Sequence, residues 1–265
     1  MDREAVTSPS RPADSPSLAG RVTLVTGATR GIGRAAALAL ASAGAHVIAV
    51  GRTQGALEDL DDEVRALGAK PVTLVPLDLT NGDGIDALGL EIFNRHRRLD
   101  VLVHAAGVLS GLRPVAHIPP KVWDTILATN ITAAFRLIRS LEPLLRASDA
   151  GRAIFITAEA ATRPTAFWGS FAASKAALEA LVRSWADETD SSQIRVMLLD
   201  PGPVRTKLRA EAFPGEDASL LTNPADVGPM IVELAGAADP GPPDGVRRFT
   251  SWAASGRCVA APGTP

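Results

Sequence analysis

Short β-branched runs alternate with longer amphipathic stretches along most of this chain. Residues 22–26, 46–50, 72–77, 101–104, 153–157 and 195–199 read as strands. Several are continuous apolar runs, the pattern of strands covered on both faces. Helical spacing fills the gaps at 32–43, 54–67, 85–96, 122–147 and 171–188. In the longest of these, Trp123, Ile126, Asn130, Ala134, Ile138, Leu141 and Leu145 fall along one face of what the spacing predicts to be a continuous helix. Alternation this regular predicts an α/β fold: a single doubly wound domain over residues 20–238, with a mostly parallel sheet and helices on both faces.

The ends read differently. Residues 1–19 are Ser/Pro-rich and lack apolar periodicity, which predicts a disordered tail that adds nothing to the fold. They also lack the continuous apolar core of a signal peptide. Residues 239–265 are punctuated by Pro and Gly, and only 246–252 reads as a strand, at an edge of the sheet.

Composition narrows the function. With 265 residues, 46% hydrophobic, the chain can bury a sizeable core. A net charge of −2 gives no reason to expect nucleic acid or a membrane surface as partner. No apolar stretch is long enough to span a bilayer, and the expected location is cytoplasmic. The single cysteine, Cys258, excludes a disulfide framework, and His46, His96, His104 and His117 do not approach metal-ligand spacing. The chain contains no tyrosine.

Directly after the first strand stands Thr26-Gly27-Ala28-Thr29-Arg30-Gly31-Ile32-Gly33, followed by a helix. Glycines at such a strand–helix turn let the backbone approach a pyrophosphate, and the helix N-terminus favours its charge. The Gly-x-x-x-Gly-x-Gly spacing with the preceding Thr resembles the cofactor signature of the short-chain dehydrogenase/reductase family, a group of Rossmann-fold oxidoreductases. Further matches run along residues 20–235: Asp78 with Leu79 after strand three, His104-Ala105-Ala106-Gly107 after strand four, Asn130 in the long helix, and Pro201-Gly202-Pro203-Val204-Arg205-Thr206 after strand six. The resemblance implies cofactor contacts from Gly27, Thr29, Arg30, Gly31, Ile32, Gly33, Asp78, Leu79, Ala106, Gly107, Lys175, Pro201, Val204 and Thr206. It also implies a homodimer or homotetramer built on helices 122–147 and 171–188.

Charge selects the cofactor. An acidic residue closing strand two would bond the ribose hydroxyls of NAD and repel a 2′-phosphate. Gly51 holds that position, Arg52 follows it and Arg30 lies in the glycine loop. Two guanidinium groups facing one ribose suit the 2′-phosphate, so NADP(H) is expected over NAD(H).

At the catalytic end the pattern breaks. In the family a Tyr and a Lys four residues apart on one helix move the proton, a Ser about thirteen residues upstream orients the carbonyl, and the helical Asn holds a relay water. Here Lys175 matches, but the Tyr position is Phe171 and the Ser position is Ala158. Asn130 also stands, either as a relay remnant or as a structural residue that kinks the helix. The sequence therefore reads as a cofactor-binding pseudoenzyme, oxidoreductase by descent. The alternatives are an active NADPH-dependent carbonyl reductase using another acid (Glu159, His104 or a water) and a cofactor-free platform for a protein partner. The substrate is not legible; segment 207–223, with its Pro, Gly and Glu, is expected to be a mobile lid over it.

Overall fold

The structure, a computed structural model, describes residues 16–236 and 245–257. Seven strands form one sheet: β1 (Val22–Thr26), β2 (His46–Gly51), β3 (Thr73–Pro76), β4 (Val101–His104), β5 (Arg152–Ile156), β6 (Arg195–Asp200) and β7 (Val246–Arg248). Their order is β3-β2-β1-β4-β5-β6-β7, and every pairing is parallel. The sheet's side chains alternate between two cores, as strand geometry requires. Val25, Val47, Ala49, Val103 and Ile154 face one core, and Leu24, Ile48, Val50, Leu102 and Phe155 face the other.

The first core is covered by α1 (Gly31–Ser42), α2 (Gln54–Ala66), α8 (Pro224–Gly236) and α9 (Phe249–Trp252). The second is covered by α3 (Gly82–His96), α5 (Ala133–Arg146) and α6 (Gly169–Thr189). Two shorter helices, α4 (Pro120–Leu127) and α7 (Lys207–Ala212), complete the set among the described residues. The arrangement is the expected Rossmann-like one, with the sheet wholly rather than mostly parallel. The strand order reverses between β1 and β4, and such a switch point opens a crevice at the C-terminal strand ends.

Four local expectations need correction. The long helix at 122–147 is broken: a π-turn over Ala128–Thr132 separates α4 from α5 and carries Asn130 at its centre. Helix α8 was not foreseen, because Gly228 and Pro229 interrupt the sequence pattern. Pro224 opens it, the Asn223 side chain accepts the Ala225 N–H at 3.0 Å, and Gly228 lets it lie close to α1, where an added Cβ would come 2.9 Å from that of Ala39. The C-terminal segment is a strand only to Arg248 and then turns into α9. Cys258 lies outside the described residues.

The fourth correction concerns the tail. Leu18, counted with residues 1–19, is 1% exposed and belongs to the first core. Its N–H donates to Ala43 O at 2.9 Å, which fixes it beside the end of α1. A buried leucine truncated to alanine costs about 2–5 kcal/mol. Leu18→Ala is therefore expected to lower the melting temperature by about 5–15 °C, measured by thermal unfolding. A change under 2 °C would show that Leu18 does not carry this contact.

Candidate functional site

The glycine loop between β1 and α1 builds one end of the crevice. Gly27 has φ +68°, and a Cβ there would sit 2.9 Å from Ala106 Cα. A Cβ on Gly33 would meet Gly27 O at 2.3 Å. Loop, helix and the residues after β4 thus pack backbone against backbone, which only glycine permits. Arg30 is the N-cap of α1 and lends it no side-chain hydrogen bond, so its guanidinium is not used there.

These elements enclose a cleft of about 310 Å³ along the C-terminal strand ends. Every residue expected to contact a cofactor lines it: the loop from Gly27 through Thr29, Arg30, Gly31 and Ile32 to Gly33, then Arg52, Asp78, Leu79, Ala106, Gly107, Lys175, Pro201, Val204 and Thr206. The lining carries the cationic side chains of Arg30, Arg52, Lys175, Lys207 and Arg209 against one carboxylate, Asp78. The Thr80 backbone N–H holds the Asp78 carboxyl below its usual range, helped by the Thr80 hydroxyl and by Arg52. Thr206 also caps α7, its Oγ1 accepting from Arg209 N at 3.1 Å. Gly51 is close-packed: a Cβ there would fall 2.5 Å from the Thr29 methyl. An added side chain at this position must displace Thr29.

Deeper in the cleft, α6 presents Phe171 and Lys175 one turn apart. Lys175 is buried, and its Nζ donates to Ile156 O at 2.8 Å. Burial pushes its pKa down to about 8, while Glu179 and Asp200 pull in the opposite direction. The Asp200 carboxyl is itself pushed up, chiefly by burial. The Phe171 ring is 3% exposed, with its centroid 5.8 Å from Lys175 Nζ. Ala158, just past β5, lines the same wall.

Asn130 does not line the cleft among the residues that enclose it. Its Nδ2 donates to Val108 O at 3.0 Å and to Ser174 Oγ at 2.9 Å, and its Oδ1 accepts from Val108 N at 2.9 Å. The wider π-turn brings this side chain to the loop after β4, which it ties to α6 behind Gly107. Its side chain is thus engaged by the fold on both sides.

The other candidate acids are placed away from the cleft. Glu159 is 67% exposed and pairs with Arg163 at 3.0 Å. His104 is buried, with Nδ1 2.9 Å from Thr26 Oγ1, and its Nε2 has no partner among the described residues. Burial, and secondarily the Lys175 charge, lowers its pKa to about 3. Thr157 lines the cleft, but its hydroxyl is committed to Glu179 Oε1 at 2.6 Å.

Sequence reasoning did not place Thr129, Trp168 and Leu208 in the cleft, yet all three line it. Trp168 and Leu208 come from loop and lid segments, where no periodicity marks a direction. The lid expectation holds in one respect: α7, inside 207–223, adjoins the cleft. Among the described residues no group of three His, Cys, Asp or Glu side chains could hold a metal ion, and no helix is long and apolar enough to cross a membrane.

A glycine-loop crevice at the switch point of a parallel sheet, lined by cations, defines a dinucleotide-binding oxidoreductase fold. Residues 21–217 match the family model for short chain dehydrogenases, and the chain belongs to that family. It is 38% identical over 219 residues to the uncharacterized oxidoreductase YciK of Escherichia coli K12, covering 82% of this chain and 86% of that one. It is 32% identical over 239 residues to the rhamnolipid-biosynthesis 3-oxoacyl-[acyl-carrier-protein] reductase of Pseudomonas aeruginosa, covering 84% of this chain and 91% of that one. A short chain dehydrogenase of Shigella flexneri 2a, crystallised with NADP, superposes with a TM-score of 0.84 at 35% identity over 88% of this chain and 98% of that one. An Escherichia coli CFT073 counterpart crystallised with NADPH gives 0.83 at 36%, covering 88% and 97%.

Proposed function

We propose that this chain binds NADP(H) in preference to NAD(H) and lacks the tyrosine-dependent carbonyl chemistry of its family. The observation that carries the reading is Phe171. Its ring packs beside Lys175, where the family resemblance implies a phenol, in a chain without any tyrosine. Ala158 stands where the resemblance implies the serine. A phenyl ring and a methyl group have no proton to exchange and none to donate to a carbonyl.

The close-packed glycine loop fits a pyrophosphate, since its backbone alone can approach that group closely. Arg30 and Arg52 would hold a 2′-phosphate. The crowding of Gly51 against Thr29 supports this choice, because a carboxylate that would select NAD has no room there without displacing Thr29. Lys175 gives one N–H to Ile156 O and has two more for ribose hydroxyls. When bound, the nicotinamide supplies or accepts a hydride. The chain itself contributes binding, orientation and exclusion of water at that end of the cleft.

Calorimetric titration with NADPH and NADH is expected to show at least about tenfold tighter binding of NADPH, the scale of a charge-assisted contact. Arg52→Ala should remove most of that difference. Equal affinities in the unaltered protein would overturn the cofactor assignment.

A further inference from the structure

A third apolar cluster lies outside both sheet cores. Leu109, Phe171 and Ala212 form its centre, with Leu112, Ala158, Trp168 and Leu208 packed against them. Ala158, Trp168, Phe171 and Leu208 face the cleft beside Lys175. Trp168 meets Phe171 edge to face at 5.7 Å and Phe213 at 5.8 Å, and the Arg209 guanidinium lies 4.0 Å over the Phe213 ring.

Apart from Lys175 and Lys207, which line the same cleft, polar groups near this wall are engaged within the fold. The Thr157 hydroxyl donates to Glu179, the Asn130 amide is held by Val108 and Ser174, and Arg209 forms a two-pronged pair with Glu216. A hydroxylated ligand placed here would lose its water and find few partners. A flat ring would lose little and gain edge and face contacts.

The rim is also built to hold its shape. Three non-glycine residues among those described have left-handed backbone, and two of them adjoin this wall: Ser110 (φ +59°) lines an opening with Leu109 and Leu208, and Phe167 (φ +72°) directly precedes Trp168. Arg113 links them: its N–H donates to Phe167 O at 3.1 Å and its guanidinium to Ser110 O. Glu211 of α7 accepts the Gly111 N–H at 2.6 Å, tying the lid helix to the same loop. Strained residues persist only where surrounding contacts over-determine them, and they cluster at ligand clamps.

We infer that this wall binds an uncharged, planar aromatic compound, gripped by the rings of Trp168 and Phe171 rather than by hydrogen bonds. The inference rests on the cofactor reading for its place in the cleft, since it names the compound bound beside the nicotinamide end. Its test is separable from that reading. The full-length protein, with and without saturating NADP, is titrated calorimetrically with 2-acetylnaphthalene, with its saturated counterpart 2-acetyldecalin, and with myo-inositol.

The aromatic ketone is expected to bind about fivefold tighter than the decalin, the scale of aromatic pair preferences, with inositol not binding measurably. Trp168→Ala should weaken 2-acetylnaphthalene about tenfold, and Trp168→Phe should restore most of that loss. Equal binding of aromatic and saturated rings, tighter binding of inositol, no binding of the aromatic ketone, or indifference to Trp168→Ala would each overturn the inference. If the aromatic ketone binds as expected while neither NADP nor NADPH binds, the cofactor reading falls and the aromatic site stands.

Discussion

Changing Ala158 to serine and Phe171 to tyrosine together is expected to raise NADPH-dependent carbonyl reduction about 10²–10⁴-fold, the usual contribution of a positioned acid–base group. The double variant adds two oxygens to a wall that otherwise has the pieces it needs. A tyrosine hydroxyl at 171 would stand near the Lys175 ammonium, which lowers a phenol's pKa from its usual value. Ala158 has extended backbone (φ −159°), so serine enters without strain. Each change alone should do less, because a proton donor without an aligned carbonyl transfers poorly. The measurement is NADPH oxidation by the four proteins against a panel of diketones and aldehydes. Ordinary enzymatic turnover by the unaltered protein, insensitive to Lys175→Ala, would sink the reading and require a different acid.

Lowering the pH from 6.5 to 4.5 is expected to cost the fold about 2–3 kcal/mol through His104 alone. The folded-state pKa of this histidine is depressed to about 3, against an ordinary value near 6.5. Its contribution is fully present above the unfolded value and is lost as pH falls toward the folded one. Within that window the unfolded chain takes up a proton that the folded chain refuses, at about 1.4 kcal/mol per pH unit. Burial is the main cause, and among the described residues Nε2 has no acceptor that would stabilise the cation. Urea unfolding of the parent and of His104→Gln at both pH values isolates the effect, since the other titrating groups are common to both. Parallel losses in the two proteins would show that His104 is not the acid-sensitive group.

The strands were legible because β-branched runs announce themselves, and the doubly wound parallel sheet followed from their alternation with helices; its strand order came only from the structure. The break at Ala128–Thr132 was not legible. Ile126, Asn130 and Ala134 lie four residues apart, a spacing that suits an α-helix and also tolerates the wider π-turn. Helix α8 was hidden by two residues, Gly228 and Pro229, that disfavour helices locally but are accepted where packing against α1 decides. Leu18 gave no periodic signal; its burial depends on Ala43, which is remote in sequence.

Within the site, the glycine loop was legible from its place between a strand and a helix, and the positions of Phe171, Lys175 and Ala158 from the family resemblance. Trp168 and Leu208 were not, because loop side chains take their direction from tertiary contacts. Asn130 was legible as a residue of interest and as a possible break in the helix, but the Val108 backbone that engages it can be seen only once the chain is folded.

Among the described residues the two outermost strands of the sheet, β3 and β7, are four and three residues long. Proline ends the first of them, and proline cannot donate to a new neighbour. A foreign strand arriving at either margin would find only a short stretch of backbone before the chain turns away. Natural sheets blunt their margins in this way against uncontrolled growth. The seven-stranded sheet is therefore self-terminating: at high concentration it offers little template for fibre-like stacking, although its interior is almost continuously apolar.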